Sequence, residues 1–341
     1  MRENDHESSW RIPATYTRVF IQHAAALKLP MAGLLRGTGL QEADLAGTAG
    51  MVSFDDTRRV IRNVTERLGA GWHLSLASRM TAPAHGTLGF AAVTAPDLQG
   101  AVDMLLRFIG IRAPFVWLAG AVEGEHFVLR LQESTALGPE RSVLLDLALL
   151  SIQSLLERPL GRPLDGARIA LGYPAPAYSE CLEAALHPAV SYGHHGHSLS
   201  FPAAWLDEPC ALHDEGMHRY LVARCEEELR LASGALPAEI AVRQALLARP
   251  ARPPSLSELA AGMHISPRTL IRRLERGDTS YQAVLEDVRR NLAADYLRHS
   301  ALGVARIGYR LGYTDPANFG RAFRRWYGVS PGRYRRQHKA S

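Results

Sequence analysis

Two groups of arginines carry the chemistry most in need of explanation in this 341-residue chain. Arg268, Arg272 and Arg273 form one, and Arg321, Arg324 and Arg325 form the other, about fifty residues downstream. A guanidinium is permanently charged and presents a planar fork of donors, which suits phosphate oxygens and the guanine edge. To act in that way, each group must stand on a short helix whose opposite face is buried. The downstream segment has this form. Phe319, Ala322, Phe323 and Trp326 fall on one helical face, and the arginines fall mostly outside it. Gly312 suits the left-handed residue that ends a helix, and Asp315 followed by Pro316 suits the start of the next. A helix stopped, turned and restarted with basic residues outward is the helix-turn-helix arrangement.

The upstream group repeats the pattern. Ser255 to Glu258 has the form of a capping box, followed by Leu256, Leu259, Ala260 and Met263 on one face. After a His264-Ile265 turn, Ser266-Pro267 starts a second helix with Leu270, Ile271 and Leu274 at core-like spacing. Between the units, Tyr281 to His299 reads as one uninterrupted helix on the 3.6-residue period of Val284, Leu285, Val288, Leu292, Tyr296 and Leu297. Such a helix is roughly 30 Å long, close to the ~34 Å between successive major-groove faces of B-DNA. A single chain of this kind can address two adjacent grooves.

The segment from Leu256 to Arg336 resembles the DNA-binding domain of the AraC/XylS family of bacterial transcription regulators. The likeness rests on Leu259-Ala260, Ser266-Pro267-Arg268-Thr269-Leu270, Arg273-Leu274, Leu297 and the run from Ile307 to Tyr334. It covers about a quarter of the chain. Gly308 stands where the family usually has Ala, which is expected to loosen the supporting helix a little. The opening of the linker helix, Gly277-Asp278-Thr279-Ser280-Tyr281, is one residue longer than usual. Carried onto the family's motif, the base-facing positions are Arg268, Ile271 and Arg272 in the first recognition helix. In the second they are Pro316, Ala317 and Arg321, with Asn318 flanking; Arg273 and Arg325 complete the expected DNA-contacting set. Pro316 and Ala317 have no side-chain donor, so the second unit is expected to rely on Arg321, methyl contacts and phosphate grip.

Charge divides the chain as the arginines do. From Leu236 to Ser341 there are 19 Lys+Arg against 8 Asp+Glu, a balance of +11; the first 235 residues carry 20 against 26, or −6. A basic C-terminal part implies a polyanionic partner, here double-stranded DNA. Cys181, Cys210 and Cys225 match neither a zinc spacing nor a disulfide framework, which makes a reducing cytoplasm the expected compartment. The N-terminus lacks the apolar run of a signal peptide, and Asp103, Arg107 and Arg112 interrupt the most apolar stretch, Ala101 to Val122. No membrane span is expected.

The first half predicts helices over Tyr16–Leu27, Met31–Gly37, Phe54–Leu68, Leu98–Ile111, Ser142–Leu156 and Tyr178–Leu186, with a small-residue run at Gly86–Val93. Phe115–Val122 and His126–Gln132 read as a β-hairpin, and Arg168–Gly172, Ala189–Tyr192 and Leu199–Phe201 as further strands. The fold class is thus an α+β N-terminal sensor domain with a small, largely antiparallel sheet, and an all-α C-terminal domain with two helix-turn-helix units joined by a long helix. Residues 1–212 are expected to form an effector-binding and dimerisation domain, 213–237 a helical linker broken by Ser233-Gly234-Ala235-Leu236-Pro237, and 238–341 the DNA-binding domain. Its units lie at about 256–276 and 304–327. Gly86-Thr87-Leu88-Gly89-Phe90, the helix with Leu98 and Ala101, and the segment from Tyr178 to Leu206 resemble the ligand-binding domain of the AraC subgroup that includes ornithine-utilisation regulators. That domain is distinct from the arabinose sensor's cupin barrel.

Other constellations have bland readings beside their sharp ones. Gly193-His194-His195-Gly196-His197 invites a metal, yet without Cys or carboxylate nearby a solvated turn is expected, with no metal. Trp72, His85, Phe90, Arg112 and Trp117 could line a pocket or be ordinary core and surface residues. Asp214-Glu215 and Glu226-Glu227-Glu228 read as a solvated helix face, or as acids that neutralise a basic patch in the absence of ligand. No phosphate loop, nucleophile elbow or paired-carboxylate motif supports catalysis, and no cofactor is implied. The residues and the resemblance together point to a sequence-specific regulator, expected as an activator that works as a homodimer with RNA polymerase. Its control is expected from a small molecule at the N-terminal domain; control by a protein partner, or architectural DNA binding with little sequence preference, are the alternatives. A repair enzyme on the same DNA-binding domain would need a zinc-held reactive Cys cluster, which three scattered cysteines do not provide.

Overall fold

In the computed structural model the described residues are 11–46, 50–134, 137–194, 196–235, 238–263, 265–299 and 302–338. The chain divides into two compact units, residues 1–236 and 237–341. The first opens with β1 (Arg11–Pro13), α1 (Ala14–Ala26), α2 (Met31–Leu34), α3 (Glu42–Ala46), β2 (Met51–Ser53) and α4 (Phe54–Leu68). β1 and β2 pair as a separate antiparallel ribbon, which the sequence reading did not contain. The helix expected over Met31–Gly37 stops at Leu34, because Gly37 takes a positive φ of 73° that a helix cannot continue.

After two 3-10 turns at Trp72–Arg79 and Ala82–His85 come α5 (Gly86–Val93) and α6 (Leu98–Arg112). The small-residue run is therefore a helix, and its composition lets it pack closely: a Cβ on Gly89 would collide with the Ala82 carbonyl. Asp97 caps α6 by accepting from the Gly100 N–H at 2.8 Å. β3 (Val116–Glu123) and β4 (His126–Glu133) form the expected hairpin, with Glu123 opposite His126. Gly124 has φ 63°, as the first residue of a type II′ turn requires.

α7 (Arg141–Leu160) follows, then β5 (Arg168–Ala170), α8 (Ser179–Ala185), β6 (Ala189–Ser191) and β7 (His197–Pro202). Apolar residues occur all round α7, from Val143 and Leu144 to Leu155 and Leu156, so it is buried on nearly every side. The sheet order is β3-β4-β7-β5-β6. Three of its pairings are antiparallel and β5 with β6 is parallel, so the sheet is mixed while remaining largely antiparallel. Buried polar groups tie α7 to its surroundings. Glu140 accepts from Arg58 at 3.2 Å and from Arg62 at 2.7 Å. Asp146 faces His73 at 2.8 Å and accepts from the hydroxyls of Tyr173 and Tyr178.

α9 (Glu215–Ala235) corrects two expectations. It runs through Ser233 and Gly234 to Ala235, while Leu236 and Pro237 lie outside the described residues. It is also no free linker. Cys225 is fully buried against Leu88, Ala91, Ala92, Met104 and Phe108 of α5 and α6, with Leu221, Val222 and Leu229 packed beside it. Glu226, exposed as expected of a solvated face, pairs with the exposed Arg107 at 2.6 Å, half-buried Glu228 accepts from the Thr87 hydroxyl at 2.5 Å, and Glu227 pairs with Arg230 along the helix. Apolar burial and these polar contacts place α9 in the first unit. Asp214 caps it by accepting from the Met217 N–H.

The second unit is wholly helical among its described residues: α10 (Ala238–Ala248), α11 (Leu256–Gly262), α12 (Pro267–Arg276), α13 (Tyr281–His299), α14 (Val304–Arg310), α15 (Pro316–Tyr327) and α16 (Pro331–His338). α13 has the bounds that its periodicity predicts, and it packs against α10, α14, α15 and α16.

Candidate nucleic-acid interface

Each recognition helix is started by the side chains that its sequence offers. The capping box at α11 closes in both directions, with Ser255 accepting from Glu258 N–H at 3.2 Å and Glu258 accepting from Ser255 N–H at 2.7 Å. Ser266 caps α12 by accepting from Thr269 N–H at 3.1 Å, and Asp315 caps α15 by accepting from Ala317 N–H at 2.8 Å. In both, proline fills the first turn, where its missing N–H costs nothing. Gly312, at φ 75°, makes the turn ahead of α15. His264, in the turn ahead of α12, lies outside the described residues.

Leu259, Ala260, Leu270 and Leu274 are buried in the first helix-turn-helix, and Phe319, Ala322 and Phe323 in the second. Ile271 is not a core residue, as its spacing suggested; it is 42% exposed, on the same side as the exposed Arg268 and Arg272. Arg273 is also exposed. In α15, Ala317, Asn318, Arg321 and Arg325 are exposed and Pro316 is half-buried. Arg321 donates to the Asn318 side-chain oxygen one helical turn earlier, so the two polar groups nearest the start of α15 act as a pair. Arg325 donates to Glu286 of α13 at 2.5 Å, and Trp326 Nε1 donates to the same carboxylate at 2.6 Å. These hydrogen bonds hold the Glu286 carboxyl below the usual range.

Sequence reasoning missed how the turn between α14 and α15 is held. Arg289 of α13 donates to the Leu311 carbonyl at 2.9 Å and the Gly312 carbonyl at 3.3 Å, with its guanidinium 4.6 Å from the Tyr313 ring centre. One side chain thereby satisfies orphan carbonyls at the end of α14 and stacks on the turn. Gly308, expected to loosen α14, also has a packing role. A Cβ there would lie 3.1 Å from the Phe319 Cβ, so glycine lets α14 and α15 approach closely. In the turn before α13, Asp278 takes φ 50°, a conformation that Asp tolerates.

In the first unit, the five pocket candidates separate. Phe90 is exposed; Trp72 and Trp117 are buried, and Trp72 donates to Thr65 at 2.9 Å. His85 and Arg112 come together on a largely apolar cavity of about 60 Å³. Tyr16, which the sequence reading did not single out, joins them, with its hydroxyl 3.0 Å from His85 Nδ1. Of the histidine run, His195 lies outside the described residues, His194 contacts Ser191 at 2.8 Å, and His197 is buried at the start of β7. No group of three or more metal-ligating side chains occurs among the described residues. Burial pushes the thiols of Cys210 and Cys225 up to about 11 and about 12. No helix among the described residues is long and apolar enough to cross a membrane.

An α+β unit with a small, largely apolar cavity, together with a helical unit that carries two capped, arginine-bearing helix-turn-helix motifs, defines a ligand-binding regulator that binds DNA. Residues 29–210 match the family described as the arabinose-binding domain of AraC transcription regulator, N-terminal, and residues 259–337 match a helix-turn-helix domain. The ornithine utilization regulator of Pseudomonas aeruginosa is 29% identical over 325 residues, 95% of this chain and 96% of the relative. An uncharacterized HTH-type transcriptional regulator of Mycobacterium tuberculosis is 28% identical over 333 residues, 96% of this chain and 97% of its own. The crystal structure of the transcriptional regulator CdpR of Pseudomonas aeruginosa aligns with a TM-score of 0.44 and 19% identity, over 94% of this chain and 98% of that one. The chain belongs to the AraC family of transcription regulators, which are not enzymes.

Proposed function

We propose that the protein is a sequence-specific transcription activator that reads base edges with Arg268, Ile271 and Arg272 of α12 and with Pro316, Ala317 and Arg321 of α15. Asn318 orients Arg321, and Arg273 and Arg325 grip phosphates. The exposure of these side chains, half-buried Pro316 excepted, on two capped helices carries the reading. A bidentate Arg–guanine pair is worth about 1–3 kcal/mol of discrimination, so Arg272→Ala and Arg321→Ala should each lower the ratio of specific to nonspecific affinity by roughly 5- to 150-fold. Titrations on the natural and a scrambled duplex test this; an unchanged specificity ratio in both variants would reassign the base-reading residues.

Residues 1–236 serve as the effector unit, controlled by a small metabolite. Ornithine belongs among the compounds screened, because a relative is named for its utilisation. The active species is a cytoplasmic homodimer that works with RNA polymerase. Exposed Met217, Tyr220 and Leu231 lie on α9, whose other side is packed against its own unit, and they offer a stripe for a second copy. Sedimentation of the full chain tests the dimer; a monomer at tens of micromolar removes it.

A further inference from the structure

We infer that the cavity between α1, α4, α6 and α7 is a site for a short monocarboxylate with an apolar body, its carboxylate received by Arg112 and His85. The inference rests on the reading of residues 1–236 as a small-molecule sensor and gives that sensor its chemistry. Phe20, Leu105, Leu144 and Leu155 are among the apolar walls, and the polar groups are few and gathered. His85, 4% exposed, has Nδ1 beside the Tyr16 hydroxyl at 3.0 Å, while its Nε2 is buried without a hydrogen bond. The Met80 backbone also acts on that ring, favouring its proton against the effect of burial.

Polarity decides the kind of ligand. The guanidinium of Arg112 lies 5.5 Å from the Tyr16 ring centre and close to its hydroxyl. Where the Tyr16 hydroxyl donates to His85 Nδ1, the proton of the neutral imidazole sits on Nε2. Burial and Arg112 keep this ring neutral, holding it down to about 4. Arg112 also donates to the Ala84 carbonyl at 3.1 Å, yet its Nε is buried and unpartnered. The cavity thus offers two unmet N–H donors and a positive charge, and no carboxylate is among its lining residues. An acceptor with negative charge completes such a site, whereas an ammonium would find no counter-charge. Apolar walls and a volume of about 60 Å³ select a short hydrocarbon body over a polyol.

The test compares three small probes on the full chain: propanoate, propanamide and propylammonium. Thermal shift and calorimetry should show propanoate binding, propanamide at least tenfold weaker, and propylammonium not binding. Arg112→Gln should weaken propanoate by about tenfold or more, the loss of one charge-assisted pair. Should that variant fail to fold, Ala148→Leu, which fills the cavity from α7, should abolish binding in a folded protein. Equal binding of all three probes, or propanoate binding that Ala148→Leu leaves unchanged, overturns the inference. If no carboxylate binds but another metabolite does and Ala148→Leu does not affect it, the sensor reading stands and this site falls. If no metabolite binds at all, both fall.

Discussion

Lowering the pH from 7.5 to 4.5 should destabilise the first unit through two buried histidines. His197 shows why. The Gly172 N–H faces Nδ1 at 3.2 Å and an Arg141 N–H faces Nε2 at 3.1 Å. A neutral ring can accept at only one nitrogen, and a protonated ring at neither. Burial first, then Arg141, hold His197 down at about 4; burial, with a smaller part from Arg112, does the same for His85. An unfolded histidine takes up its proton near 6.5. Between 6.5 and 4 the unfolded chain therefore holds more protons than the folded one, so stability falls as pH falls through that window. The loss from these groups is complete below about 4. Each shift corresponds to about 3 kcal/mol at most, at up to ~1.4 kcal/mol per pH unit. Urea melts in steps from pH 7.5 to 4.5, followed by tryptophan emission, should show midpoints dropping steeply below pH 6.5. A His85→Gln/His197→Gln double variant should start from a lower midpoint but give a flatter profile. Parallel profiles for the two proteins would refute the assignment.

Removing the α15 cap with Asp315→Ala should cost about 1 kcal/mol, read as a lower melting temperature of the second unit and weaker DNA binding. Glu286→Ala leaves Trp326 Nε1 without its acceptor and should cost about 1–2 kcal/mol; an unchanged melting temperature would show that the side chain finds another partner. Footprinting of the full chain should protect two adjacent major grooves on one face, and protection of a single groove would remove α13 from its role as a spacer.

The helix-turn-helix units were legible because their signals are local. Ser255, Ser266 and Asp315 bond to N–H groups two or three residues away, and the period of Tyr281–His299 marks a helix that is buried by its own neighbours. What escaped the sequence depends on distant partners. Arg289 and Glu286 look like ordinary charges on an amphipathic helix until tertiary packing brings Leu311 and Trp326 to them. Ile271 has core spacing, yet it is left 42% exposed among the described residues. In the first unit, Tyr16 and His85 are 69 residues apart, and no periodicity connects them. Residues 213–235 were recognisable as a helix but not as a packed one, because Leu221, Cys225 and Leu229 find their partners on α5 and α6, more than a hundred residues earlier, while Glu226 stays exposed as its charge suggested.

Helices α5 and α6 have two duties. Leu88, Leu105 and Arg112 wall the cavity, while Leu88, Ala91, Met104 and Phe108 bed the α9 helix that runs to the end of the unit. A guest in the cavity and the seating of α9 therefore draw on the same pair of helices. Linkage makes any such exchange symmetric: a ligand that changes the docking equilibrium of α9 by some factor must have its own affinity changed by that factor when α9 is fixed. Effector affinity measured with and without promoter DNA would thus report, as one ratio, how far occupancy of the sensor and grip on the operator are a single equilibrium.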